Sequence, residues 1–478
     1  MSFHHLWQLR AEFARRLSAM YGTEVPAYNT LVDVSTQVNQ AYLLQHGADA
    51  ERLGSIDRVT AERHGAIRVG SEREMSQVAR IFAAFGMYPV GFYDLRDASK
   101  SAVPVVSTAF RPVTADELAR NPFRVFTSML AVEDPRFFDP ALQSELKDFF
   151  DRRELFGQEL LELADRAAAG SGLEEEEAGR LLELATGAFE LSAEPVDHDW
   201  YRRLEAISAV ASDIGGVTST HINHLTPRVL DIDALYAGME ALGITMIDEI
   251  QGPPRWDGPD VLLRQTSFRA LGEERLFRYP DGSVRKGELR VRFGEVEARG
   301  IALTPAGRDL YDRMVADVDR RLQDDPSQDS QGAARAVWEE NLPRTEKELA
   351  ARGLAYFTFT ADKAAAAGLP QGPFTLAELI ESGAAVPEPI VYEDFLPRSA
   401  AGIFQSNLTD EGSKNESELA ADYDMARMSG IIGRPVHDPY ELYQRQQDGS
   451  VRALADALGI DLLPSTAEAA AAATGAGN

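Results

Sequence analysis

Apolar residues recur at helical spacing over residues 6–20 and again over about 28–46, which predicts two helices at the start of the chain. The period then changes. Arg63-His64-Gly65-Ala66-Ile67-Arg68-Val69-Gly70 reads as a short strand, and Ser71 followed by Glu74 is a capping box opening a helix that runs to about Phe85 and ends at Gly86. Extended segments follow at 88–95, 103–111 and 123–130, so the order is β-α-β-β-β. Residues 140–210 return to helical spacing and include the acidic run Glu174-Glu175-Glu176-Glu177, which reads as a solvated surface.

The first order then comes back. It runs through a strand at His224, a helix over about 233–242 closed by Gly243, and extended segments at 244–250, at 261–271 with a continuation to 279, and at 287–299. His64 is followed four residues later by Arg68 and His224 four residues later by Arg228, each just before its module's helix. Such a repeat implies two similar units about a pseudo-twofold axis, their first strands meeting in one central sheet. His64 and His224 are then expected to face each other. The predicted class is α+β, with paired βαβββ modules forming a central curved sheet. Residues 1–58 form a helical cap, 59–135 the first module, 136–215 a helical insertion and 216–312 the second module. A helical and loop extension completing the site occupies 313–465, and the alanine- and glycine-rich 466–478 reads as a disordered tail. Within the extension, 324–331 reads as a polar surface loop.

With 478 residues and 44% hydrophobic content the chain has material for a large core. It contains no cysteine, which excludes disulfides, thiolate metal sites and a cysteine nucleophile and leaves His, Asp and Glu as metal ligands. The net charge of −28 speaks against nucleic acid as a partner. A small anionic substrate fits if arginines line its pocket. No apolar run has the length of a membrane span, and the first residues lack the basic and apolar regions of a secretory signal, so the expected location is cytoplasmic.

The candidate chemistry starts at Thr220-His221-Ile222-Asn223-His224-Leu225-Thr226-Pro227-Arg228, a β-branched run that holds two of the eight histidines. In a regular strand residues three apart point to opposite faces, so one of His221 and His224 faces a given site. Glu295 and Glu297 share strand parity on the last strand of the second module, and either can complete a set of two histidines and one carboxylate. A facial set of that kind leaves three adjacent positions of an octahedral iron(II) open. Arg68 lies on the same strand face as His64 and suits a bidentate pairing with a substrate carboxylate; Arg228 has the same parity to His224, with Pro227 disturbing the strand. Glu297 can alternatively orient a ligand or pair with Arg299.

The double β-α-β-β-β order resembles the vicinal oxygen chelate superfamily. His224-Leu225-Thr226-Pro227-Arg228-Val229-Leu230-Asp231-Ile232 is similar to the second-histidine segment of 4-hydroxyphenylpyruvate dioxygenase and hydroxymandelate synthase, with Asp231 at the matching place. Glu295-Val296-Glu297-Ala298-Arg299 is similar to their glutamate-containing final strand, which favours Glu295. Together with Arg63-His64-Gly65-Ala66-Ile67-Arg68, Phe293-Gly294-Glu295-Val296-Glu297 and Phe395-Leu396-Pro397-Arg398-Ser399-Ala400-Ala401-Gly402-Ile403-Phe404, these segments resemble the 2-oxoadipate dioxygenase/decarboxylase family, from the first helices to about Asn407. The resemblance implies iron(II) held by His64, His224 and Glu295. It implies conversion of 2-oxoadipate and O2 to D-2-hydroxyglutarate and CO2 in lysine catabolism, with the substrate chelated through its 1-carboxylate and 2-oxo group. Arg68, Ser399, Arg398 and Arg228 would bind substrate, Ser399 ahead of Arg398. The alternatives are another metalloenzyme of the superfamily, such as a ring-cleaving dioxygenase or isomerase, and a non-catalytic ligand-binding scaffold of the same fold.

Overall fold

In this computed structural model, which describes residues 2–97, 103–270, 272–289, 292–370, 372–397, 414 and 419–463, a short strand β1 (Phe3–His5) leads into α1 (Leu6–Glu24) and α2 (Ala27–His46). Leu9, Phe13, Leu17 and Tyr21 recur along one side of α1 and are buried, as the helical period predicts. A short helix α3 (Ile56–Ala61) precedes β2 (Arg63–Val69). Helix α4 (Glu72–Ala83) opens on the expected capping box between Ser71 and Glu74, and Gly86 (φ +63°) turns the chain out of it. The strands β3 (Tyr88–Asp94), β4 (Val105–Arg111) and β5 (Arg124–Leu130) complete the first module.

The helical insertion carries two small strands, β6 (Gly172–Glu174), which pairs with β1, and β7 (Val196–Asp197). The second module begins with β8 (Ile222–Pro227), followed by the helix Ile232–Ala241. The five-stranded sheet has the order β3-β4-β5-β2-β8, with β2 parallel to β5 and antiparallel to β8. The two first strands are therefore neighbours, at the β8 edge of this sheet. Ile67 and Val69 of β2 enter the main core with α1 and α4, while the even positions His64, Ala66 and Arg68 take the other face.

The remaining strands are β9 (Leu263–Phe268), β10 (Glu273–Arg278), β11 (Val284–Leu289) and β12 (Gly294–Arg299). β12 pairs antiparallel with β9 and meets the end of β8 through a parallel bridge between Arg228 and Glu297, where Val229 N–H donates to Glu297 O at 2.8 Å. Single bridges Met246–Phe268 and Gln251–Gln265 place the 244–251 segment on the far side of β9. The order 244–251, β9, β12, β8 repeats β3, β4, β5, β2.

Two expectations change. The extended run from 261 does not continue to 279 in one strand, and 287–299 is not one strand either. β10 and β11 form a separate hairpin, and β10 pairs with β7 of the insertion. Tyr279-Pro280-Asp281-Gly282-Ser283 makes the turn, with Gly282 at φ +80°. In the C-terminal extension β13 (Phe357–Ala361) pairs with β14 (Ala385–Pro389). The chain then returns to the second module, where Val391 bridges Ile301 and Tyr392 N–H donates to Gly300 O at 2.9 Å. This brings 392–397 against the end of β12.

Candidate metal centre

Three strands deliver the site. β2 carries His64, β8 carries His224 and β12 carries Glu295, and one ligand atom from each lies within 4.8 Å of the others. The Glu295 carboxylate spans the two rings. Its Oε1 is 3.5 Å from His64 Nε2 and its Oε2 is 3.5 Å from His224 Nε2. The rings themselves stand edge to face, with centroids 5.3 Å apart.

All three groups are buried, and their electrostatics suit a cation between them. Burial, with His64 and Arg68 adding to it, lowers the His224 pKa well below the usual histidine value, so its imidazole is neutral and has a lone pair to give. Burial raises the pKa of Glu295 despite the neighbouring His64; a divalent ion would supply the positive charge that stabilises this carboxylate. Burial also disfavours the His64 cation, but Glu297 and Glu295 outweigh it and raise that pKa. Two imidazoles and a carboxylate, without thiolate, form a donor set for a borderline first-row divalent ion.

Behind the triad each ligand is held. Glu297 Oε2 lies 2.9 Å from His64 Nδ1, which favours a proton there and leaves Nε2 for the centre. Arg299 fixes Glu297 through paired contacts of 2.7 and 2.8 Å, and with His64 it outweighs burial to hold the Glu297 carboxyl far below its usual range. His224 Nδ1 is 3.0 Å from Thr226 Oγ1, and its ring stacks on Phe293. Gln265 of β9 donates from Nε2 to Glu295 Oε1. Phe395, brought in by the C-terminal extension, meets the His64 ring edge to face at 5.0 Å. The hydroxyl of buried Tyr21 reaches Asn223 O at 3.1 Å and Phe293 O at 2.9 Å, tying α1 to both second-module ligand strands.

Residues 13–407 match the profile of the 2-oxoadipate dioxygenase/decarboxylase family. The chain belongs to that family. It is 56% identical to the 2-oxoadipate dioxygenase/decarboxylase of Mycobacterium tuberculosis (strain ATCC 25618 / H37Rv) over 91% of this chain and 95% of that one. It is 40% identical to the protein of the same name from Pseudomonas putida, over 95% and 97%. The crystal structure of the hydroxyglutarate synthase in complex with 2-oxoadipate from Pseudomonas putida superposes with a TM-score of 0.80 at 36% identity, covering 96% of this chain and 100% of that one.

The other candidates fall in different places. Arg68 shares the face of His64, and its Nη1 donates to Asp213 Oδ2 at 2.5 Å. Arg228 lies behind the triad, where its Nη1 donates to Glu62 Oε2 at 2.9 Å and its Nη2 to Leu53 O at 2.7 Å. Glu62 also accepts from Arg124, and these arginines outweigh burial to hold its carboxyl at about 2. Arg228 is thus committed to an internal ion network. Arg398 and Ser399 lie outside the described residues, as does the 466–478 tail. Asp231 caps the helix Ile232–Ala241, accepting from Ala234 N–H at 2.9 Å.

Contrary to strand parity, His221 and His224 do not point to opposite faces. The β2–β8 register slips between Ala66, opposite His224, and Ile67, opposite Ile222, so Asn223 is an extra residue in the strand. Ile222 and Leu225, three apart, consequently both pack at Gly65 in the main core. His221 and His224 share the opposite side. His221 is not part of the triad but touches Asp213, which is 3.4 Å from its Nε2 and which also holds Arg68. Gln265, Asp213 and Phe395 were not predicted as site residues. The polar run Arg264-Gln265-Thr266-Ser267 inside a fully buried strand was a signal for the first, and nothing local marks Asp213.

Proposed function

We propose that this chain converts 2-oxoadipate and O2 to D-2-hydroxyglutarate and CO2, using iron(II) held by His64, His224 and Glu295. The observation that carries this reading is the buried triangle of those three residues in a member of the 2-oxoadipate dioxygenase/decarboxylase family. The Pseudomonas putida relative was crystallised with 2-oxoadipate, which supports the same substrate here. The reaction balances without an external reductant: one oxygen atom enters the new carboxylate, the other the hydroxyl, and the former 1-carboxylate leaves as CO2. Lysine catabolism is the setting that the resemblance implies, and the cytoplasm is the location we expect.

Iron(II) held by His64, His224 and Glu295 would supply positions for a 2-oxo acid and O2, together with the redox chemistry that dioxygen needs. The protein's share is geometry. Glu297 fixes the His64 ring, Thr226 and Phe293 fix that of His224, and Gln265 fixes the Glu295 carboxylate. Phe293 and Phe395 wall the centre with apolar surface and limit water. Arg68, on the His64 face of β2, pairs with a substrate carboxylate.

The test is anaerobic reconstitution with iron(II), then O2 uptake with 2-oxoadipate against 2-oxoglutarate. Uptake coupled to one CO2 per O2 with 2-oxoadipate is expected; no uptake with either acid ends the proposal.

A further inference from the structure

Arg68, the arginine that the proposed reaction assigns to a substrate carboxylate, is gripped at both ends. In the β2–β8 ladder His224 lies opposite Ala66, and His64 and Arg68 stand two positions to either side of Ala66 on the same face. Two positions of a strand span about 6.6 Å, which an arginine side chain can cover. Thr220 Oγ1 donates to the backbone O of Arg68 at 2.7 Å, and at the far end of the side chain Nη1 donates to Asp213 Oδ2 at 2.5 Å.

Asp213 is itself held from two sides. Its Oδ2 also accepts from Asn223 Nδ2 at 3.0 Å, and the same Nδ2 lies 3.1 Å from His221 Nε2, so the two N–H bonds of one amide serve both neighbours. Asn223 is the extra residue that breaks the register of β8. The helix that carries Asp213, Ala209–Gly215, is fixed at its end by Arg153, whose Nη1 donates to Ile214 O at 2.6 Å and Val217 O at 2.8 Å. Glu74 clamps Arg153 in turn through contacts of 2.8 and 2.7 Å. A buried ion pair adds little net stability over apolar side chains of the same size, so stability alone does not account for three elements converging on one guanidinium. Aim does. An arginine has many rotamers, and paired bonds to a carboxylate require its planar group to be accurately placed.

We infer that Asp213 is a positioning residue for substrate binding: it fixes the Arg68 guanidinium in the orientation that meets the substrate carboxylate, and the Asn223 bulge holds Asp213 for that purpose. The inference rests on the proposed role of Arg68 toward a 2-oxo acid.

The experiment is anaerobic titration calorimetry of the iron(II)-loaded full chain with 2-oxoadipate. Asp213→Ala should weaken binding by about threefold to tenfold, the effect of ordering one long side chain only on binding, and should leave the iron content unchanged. Asp213→Asn should restore most of that loss, because the bonds from Arg68 and Asn223 converge on one oxygen, which the amide oxygen of asparagine can replace. In turnover the Asp213→Ala loss should fall on KM and spare kcat. In an Arg68→Met background the same substitution should change the affinity by less than about twofold. A mere counter-charge gives the opposite result, since its removal leaves the field of the arginine unopposed and tightens binding, and asparagine then behaves as alanine does. That outcome, an equal loss in the Arg68→Met background, or a parallel loss of iron overturns the inference. Should Asp213→Ala not fold, Asn223→Ala decides: a loss of about twofold to fivefold that disappears with Arg68→Met supports the inference, and no loss overturns it. No binding of 2-oxoadipate by the unaltered chain would sink the proposed substrate and this inference with it; normal binding that Asp213→Ala leaves unchanged would sink the positioning role alone.

Discussion

In the first module β3, β4, β5 and β2 stay hydrogen-bonded in one sheet, and the excursion between β4 and β5 is the short helix Ala115–Arg120. The second module keeps the same strand order with far less regular pairing. β12 meets β8 through one bridge, the 244–251 segment reaches β9 through single bridges, and the β10–β11 hairpin leaves the module to join β7. Site residues follow this difference. The regular module offers His64 and Arg68 from two even positions of a strand clamped between β5 and β8. The irregular one offers His224, Glu295 and the bulge at Asn223. A continuous ladder fixes strand faces by parity alone, whereas a bulge or an excursion re-aims side chains. A regular half thus supplies the fixed wall, and variety in the other half shapes what binds against it.

The largest effect should come from removing the shared centre. If the metal belongs to both modules, His64→Ala in the first and His224→Ala or Glu295→Ala in the second should each abolish stoichiometric iron(II) binding. Metal content after anaerobic reconstitution and desalting is the readout. Retention by His64→Ala alone would mean that the second module holds the ion by itself, and the division of ligands drawn above would be wrong.

A smaller effect probes the bulge. Burial depresses the pKa of His221 to about 4, against the pull of Asp213. A histidine in the unfolded chain titrates near 6.5, so on acidification the unfolded state takes up its proton first. The stability from keeping His221 neutral is therefore complete above about pH 6.5 and is lost as the pH falls toward 4, by up to about 3 kcal/mol. Urea unfolding of the metal-free protein across this window should show that slope, and His221→Asn should flatten it. An identical slope in the variant would place the proton uptake elsewhere.

The sequence exposes the regular module better than the irregular one, for the same reason. Ser71 and Glu74 mark the start of α4, Gly86 its end, and the period-two runs that follow lie close to the observed β3, β4 and β5. His64 and His224 were expected to meet because repeated strand order places β2 beside β8, and they do. Parity arguments assume an unbroken ladder, so the slip at Asn223 defeated the one applied to His221. The hairpin was legible in part, since Pro280-Asp281-Gly282 is turn chemistry between two extended runs. Asp213 carries no such mark. It reaches Arg68 and His221 from the insertion through tertiary packing, which no local period records.

The smallest effect concerns the seam where the halves meet. A Cβ on Gly65 would lie 2.8 Å from Ile222 Cδ1 and 3.3 Å from Leu225 Cδ2, so the glycine is what lets β2 and the bulged start of β8 approach. Gly65→Ala gains a little from a stiffer unfolded chain but overpacks this contact, and a net loss of about 1 kcal/mol is expected in denaturant unfolding. The partner change makes the test specific. Ile222→Val removes the Cδ1 atom, and in the unaltered chain it should cost about 1 kcal/mol as a small cavity. In the Gly65→Ala background the same truncation should be neutral or restoring, because it clears the atom that the new methyl meets. Additive losses in the double variant would show that the clash is relieved by movement of β8 as a whole. The bulge would then be a flexible joint between the halves, and the fixed-wall reading of the first module would have to extend across the seam.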